Sequence, residues 1–135
     1  MTADDIISAA RECIGTPFQH QGRINGLALD CAGVIVCVAS KFGLKSIQPA
    51  GYGRSPCNGM LEEAADMQPY LDRVTAMQAG DVLMMRFTGE PQHVGIYTGE
   101  NIIHAYESVG KVVEHRLDEK WAARIVRIYR FKDIA

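Results

Sequence analysis

The segment from Asp30 to Phe42 is apolar on nearly every side of a helix, with Val34, Ile35, Val36, Cys37, Val38 and Ala39 in one unbroken run. A helix of that kind has no face to offer water, so it must run through the core with the rest of the chain packed around it. Asp30 suits its N-cap, where a side-chain oxygen satisfies an orphan backbone N–H. Gly43 suits the position after its last turn. Cys31 is thereby placed at the start of a buried helix, where the helix dipole favours a thiolate.

Before and after that helix the chain differs in character. Ala3 to Ile14 reads as an amphipathic helix, with Thr2 or Asp4 as cap, Ile6, Ile7, Ala10 and Ile14 on its apolar face, and Gly15 as its end. Thr16 to Arg23 has no period and reads as a loop. Lys45 to Gly59 carries Pro49, Gly51, Gly53 and Pro56 and reads as a long irregular loop, of a kind more often functional than idle. Met60 to Val74 has a helical pattern interrupted by Pro69, giving two short helices or one broken helix.

After a turn at Gln78–Asp81 the runs become strand-like: Val82 to Phe87, His93 to Thr98, Asn101 to Tyr106 and Lys111 to Leu117. Turns are expected at Gly89-Glu90-Pro91, Gly99-Glu100 and Val109-Gly110. Asp118 to Ala123 reads as a helical turn holding Trp121. Arg124 to Phe131 favours a last strand, with a helix as the alternative because Arg recurs every third residue. Helices first and strands after them predict an α+β fold with an antiparallel sheet.

The chain has 135 residues, the size of one domain. A net charge of -2, with both signs mixed along the chain, excludes the basic footprint of a nucleic-acid binder. No apolar run is long enough to span a membrane. Met1 leads into Thr2-Ala3-Asp4-Asp5, so no export signal is expected and delivery outside the cytoplasm would need a carrier. Cys13, Cys31, Cys37 and Cys57 show no paired spacing, which predicts a reduced chain with one special thiol. A zinc site using them with His20 or His115 lacks ligand-pair spacing. No metal or cofactor is expected.

The special thiol is Cys31. An ordinary thiol, with a pKa of about 8.5, is only slightly ionised at neutral pH, and a helix N-terminus with a neighbouring imidazolium lowers that value. Gly33 allows a backbone or a substrate to approach closely. The backbone N–H of Cys31, free at the first turn, suits an oxyanion. His93 and His104 lie on successive strands and meet if the register puts both on one face. His93 is then the general base and acid, and His104 the residue that orients it. Cys13 and Cys37 read as small buried hydrophobes, and His20 and His115 as structural or surface residues.

Gly15-Thr16-Pro17-Phe18, Asp30-Cys31-Ala32-Gly33, Ala79-Gly80-Asp81-Val82, His93-Val94-Gly95-Ile96-Tyr97 and Ile103-His104-Ala105 resemble, in order, the motifs of the NlpC/P60 cysteine peptidases. His20-Gln21-Gly22-Arg23 and the stretch from Trp121 to Phe131 resemble more narrowly the members encoded with phage tail genes. The resemblance implies a papain-like α+β fold and hydrolysis of stem peptides in bacterial peptidoglycan, next to D-glutamate or diaminopimelate. It implies Cys31 as nucleophile, His93 as base and His104 as orienting residue, with phage tail proteins as partners and a tail particle as the carrier. Phe18 stands where many members have Tyr, so a hydroxyl that often holds substrate is absent. Phe18, His20, Arg23 and Asp30 are the candidate substrate-binding residues, with Arg23 and His20 suited to carboxylates. Two other readings remain: a non-catalytic tail-assembly module, and an amidase or acyltransferase on the same scaffold.

Overall fold

Thr2, not Asp4, caps the first helix, α1 (Ala3–Arg11). Its Oγ1 accepts from the Asp5 N–H at 3.2 Å, while Asp5 Oδ2 accepts from the Thr2 N–H at 2.8 Å, a reciprocal capping box. The structure, a computed structural model, describes residues 1–19, 23–24, 28–29, 31–46, 60–88 and 90–132. The helix stops short of Ile14 because Cys13 and Ile14 donate to the Ala10 and Arg11 carbonyls, tightening the chain into three-residue turns. Gly15, at φ +90°, then redirects the backbone.

Thr16 to Phe18 do not form a loop but line the free edge of the main sheet. Gly15 donates to the Val112 carbonyl at 2.9 Å, Val112 donates to the Thr16 carbonyl at 2.9 Å, and Phe18 donates to the Gly110 carbonyl at 2.8 Å. Pro17, with no N–H to contribute, suits that edge position. Two short strands, β1 (Arg23–Ile24) and β2 (Ala28–Leu29), pair antiparallel where sequence suggests only a loop and a lead-in. A two-residue ladder is too short to show a period.

The central helix, α2 (Cys31–Lys41), matches expectation: Val34, Val38 and Ala39 are wholly buried, and Gly43 follows its end at φ +73°. The expected helix over Met60–Val74 is only half present. α3 (Met60–Asp66) ends before Pro69, and Leu71–Val74 forms a strand, β3. The proline breaks the helix, and the hydrogen bonds of a neighbouring strand then decide the fate of a short segment.

The remaining elements are β4 (Val82–Thr88), β5 (Glu90–Tyr97), β6 (Asn101–Tyr106), β7 (Lys111–Arg116), α4 (Glu119–Ala122) and β8 (Ile125–Phe131). Glu90 and Pro91, expected in a turn, instead belong to β5 and pair with Thr88 and Arg86 across a bulged ladder. The β8 segment is a strand rather than a helix. Six strands form one antiparallel sheet in the order β3-β8-β4-β5-β6-β7. On one face Val82, Met84, Val94, Ile96, Ile103 and Val112 pack with residues of α1 and α2. On the other, Leu83, Met85 and Ile102 pack with Trp121, Ile125 and Ile128. None of the described helices is long and apolar enough to cross a membrane.

Candidate active site

The register of β5, β6 and β7 brings three histidines onto one face of the sheet. Ile96 pairs with Ile103 and Ile102 with His115, and strand side chains alternate, so His93, His104 and His115 share the face of Ile102. The rings run in a line across the strands. His93 Nε2 lies 2.5 Å from His104 Nδ1, and His104 Nε2 lies 2.8 Å from His115 Nε2. His115 Nδ1 ends the line, 2.9 Å from the Arg116 carbonyl oxygen.

Sequence reasoning places the first two rings correctly and assigns His115 to a structural or surface role. The missed signal is the Val109-Gly110 turn. Once it fixes His104 opposite Val113, residue 115 falls on the same face as His104, one diagonal step away.

Aromatic side chains hold these rings in place. Tyr106 stacks on His104 with centroids 5.2 Å apart, and Trp121 meets His104 edge-on at 5.1 Å and His115 at 4.9 Å. The Arg124 guanidinium lies 4.8 Å above the Trp121 ring, a cation–π contact.

Burial comes first among the causes that set the charge of the site. His93 and His104 are 5% and 0% exposed. Burial, then the charges of Arg124 and His115, pushes His93 down to about 3. Burial, then the charges of His93 and His115, pushes His104 down to about 2. Both imidazoles are therefore neutral near pH 7, and His93 is in its basic form. Among the described residues no group of His, Cys, Asp and Glu is arranged to hold a metal.

Cys31 is the first residue of α2, buried, and packed in the same cluster as Val94, the residue after His93. An apolar cavity of about 60 Å³ lies between α2, α3 and the sheet, lined by Ala32, Ile35, Ala64, Ala65, Tyr70 and Val94, and Cys31 is not part of its wall. Cys13 is a different thiol: burial, and then Cys37 beside it, pushes it up to about 12. Phe18 is half-buried and packs against the main core. Arg23 lies in β1, beside α2. His20, Asp30 and Cys57 lie outside the described residues, as does residue range 47–59 of the long loop.

Residues 15–130 match the model of the NlpC/P60 family. The chain belongs to that family. An NlpC/P60 family protein from Bacillus cereus ATCC 10987 is similar in structure at 21% identity, with a TM-score of 0.71 over 97% of this chain and 40% of that one. The NlpC/p60 domain of the peptidoglycan hydrolase SagA is similar at 23% identity, with a TM-score of 0.62 over 95% of this chain and 97% of that one. The peptidoglycan hydrolase RipB from Mycobacterium tuberculosis is similar at 19% identity, with a TM-score of 0.63 over 98% of this chain and 65% of that one. At these identities the likeness establishes the fold. The chain spans 40% of the Bacillus cereus protein and 41% of a similar Staphylococcus aureus one. Among curated proteins none matches the chain.

Within this NlpC/P60 domain, two of the sequence motifs have structural work. Gly15 to Phe18 closes the β7 edge. Asp81, wholly buried before β4, receives Arg130 Nε and Nη2, each at 2.9 Å, and the Gln78 N–H at 2.8 Å. That clamp ties the start of β4 to the end of β8.

Proposed function

We propose that this NlpC/P60 domain is a cysteine endopeptidase that hydrolyses peptide bonds in bacterial peptidoglycan stem peptides, next to D-glutamate or diaminopimelate. The observation that carries the reading is the buried contact of His93 Nε2 with His104 Nδ1 at 2.5 Å. A base whose far nitrogen is held by a third group is the arrangement that recurs in nucleophilic catalysis by a thiol. The names of SagA and RipB, both peptidoglycan hydrolases, support the substrate class.

In this reading Cys31 Sγ gives its proton to His93 and attacks the scissile carbonyl. The Cys31 backbone N–H, at the first turn of α2, steadies the oxyanion. Collapse forms a thioester and expels the amine, which takes the proton back from His93. Water, deprotonated by His93, then attacks the thioester and frees the thiol. His104 orients His93 throughout. Phe18, His20, Arg23 and Asp30 contact substrate, with Arg23 and His20 on its carboxylates. The domain acts as a phage tail or prophage component, carried to the wall by tail proteins. A purely structural tail module has no need of the buried imidazole pair, which weighs against that alternative.

The test is incubation of purified peptidoglycan with the protein and with Cys31→Ala, followed by mass spectrometry of released fragments. Peptides that appear only with the unmodified protein support the reading, and their new termini identify the bond. Full release by Cys31→Ala would overturn it.

A further inference from the structure

His115 lies outside the expected Cys-His-His set, yet its contacts determine where every proton on the other two rings sits. A carbonyl oxygen only accepts, so the 2.9 Å contact to Arg116 O requires a proton on His115 Nδ1. Neutral His115 then presents a lone pair at Nε2. His104 must donate to it from Nε2 at 2.8 Å, which leaves His104 Nδ1 as an acceptor. His93 must in turn donate from Nε2 at 2.5 Å, so its Nδ1 carries the basic lone pair. One backbone carbonyl fixes the tautomers of three rings.

Adding one proton to His115 reverses the line. His115 then has N–H groups on both nitrogens, and two donors cannot face each other across 2.8 Å. The His104 proton moves to Nδ1 and points at His93 Nε2, which must become the acceptor. The His93 proton moves to Nδ1, and the lone pair needed for the thiol proton is gone. Each of the first two rings still carries one proton and no charge.

We propose that His115 is a positioning residue that sets the protonation register of His93 through His104, and that its own protonation switches the base off. This rests on the endopeptidase reading only for its catalytic consequence. Among the described residues, His115 meets His104 from β6, with His93 behind it on β5, and Trp121, which carries Arg124 over its ring, from the α4–β8 corner. Glu114, its neighbour on β7, points to the opposite face and is held by Arg11 at 3.0 Å and Asn101 at 2.9 Å. Glu114 therefore does not compete for the Nε2 position.

The first measurement is the tautomer state of each ring by long-range ¹H–¹⁵N correlation on the resting protein, with no substrate present. Near neutral pH the expected protons are on Nε2 of His93, Nε2 of His104 and Nδ1 of His115. On acidification, the appearance of a second proton on His115 should coincide with a move from Nε2 to Nδ1 on His93. A neutral His115 protonated on Nε2, or a His93 register indifferent to His115, would overturn the proposal.

The second measurement uses substitutions. His115→Leu removes the acceptor and should lower kcat about twofold with KM unchanged, because His93 then samples both tautomers. His115→Gln offers an amide oxygen to His104 and should rescue most of that loss. Because glutamine takes up no proton, this variant should keep working at acid pH where the unmodified protein has stopped. An identical acid limb in His115→Gln would refute the switch. If peptidoglycan is not cleaved at all, the tautomer measurement still decides the proposal, so its failure and that of the endopeptidase reading are told apart.

Discussion

Gly95 and His104 face each other so closely across β5 and β6 that a Cβ on Gly95 would sit 3.0 Å from the His104 Cβ. The same atom would lie 2.8 Å from both Cγ1 and Cδ1 of Ile102. The bare backbone at Gly95 makes room on β5 for two side chains of β6. His93, two residues earlier on the same face, then reaches His104 along the diagonal.

Gly95→Ala should therefore damage both stability and the site. Ile102 and His104 are each 0% exposed and cannot swing into solvent to relieve the clash. Overpacking of this kind costs about 1–3 kcal/mol. Urea unfolding should report that loss, and fragment release from peptidoglycan should fall further than the folded fraction does. Native stability and full activity in Gly95→Ala would show that the two strands yield freely.

Asp81→Ala should cost more. It leaves the Arg130 guanidinium facing the vacated site, and breaking one side of a buried pair costs about 3–5 kcal/mol. The Arg130 side chain is 23% exposed, against 1% for Asp81, so water partly takes over and the lower end of that range is expected. The urea midpoint should drop with the slope unchanged. A midpoint within error of the unmodified protein would remove the clamp from the account of the fold.

How much of this was legible in the sequence depended on whether the cause was local. The α2 helix was legible because its run of apolar residues admits one placement. The strands from Val82 onward were legible through β-branched residues and turns. The Leu71–Val74 strand was not, since its identity comes from pairing with β8, 54 or more residues away in the chain, with Val74 opposite Ile128. His115 was hidden for the same kind of reason. Its partner His104 is set by the register of a hairpin, and a lone histidine in a strand carries no mark of that register. Cys31 and His93 stood out because position and order alone suggested a nucleophile and a base.

The thiols should separate by chemistry. Iodoacetamide at pH 7, followed by peptide mapping, should modify Cys31 well before Cys13. Cys13 is held near 12 by burial and by Cys37, so almost none of it is thiolate at that pH. Its Sγ also faces the Ala9 carbonyl at 3.7 Å, inside α1. Equal labelling of the two would mean that Cys31 enjoys no activation from its place at the start of α2.

Acid should destabilise the fold through the same imidazoles that build the site. Burial lowers His93 from 6.5 to about 3 and His104 from 6.5 to about 2. Well above pH 6.5 both are neutral in the folded and unfolded chains and contribute no slope. Below it the unfolded chain binds protons that the folded chain refuses, so stability falls as pH falls, by up to ~1.4 kcal/mol per pH unit for each histidine. The loss continues until the folded-state values are reached. Carboxylates add their own acid slope lower down, so the informative window lies between about pH 6 and 5, before most of them titrate. Urea unfolding across that window should show a steep decline in the unmodified protein. His93→Leu, which has no proton to refuse, should show a shallower one. If the two slopes coincide, His93 is not held neutral by burial, and the basic form assigned to it near pH 7 loses its physical cause.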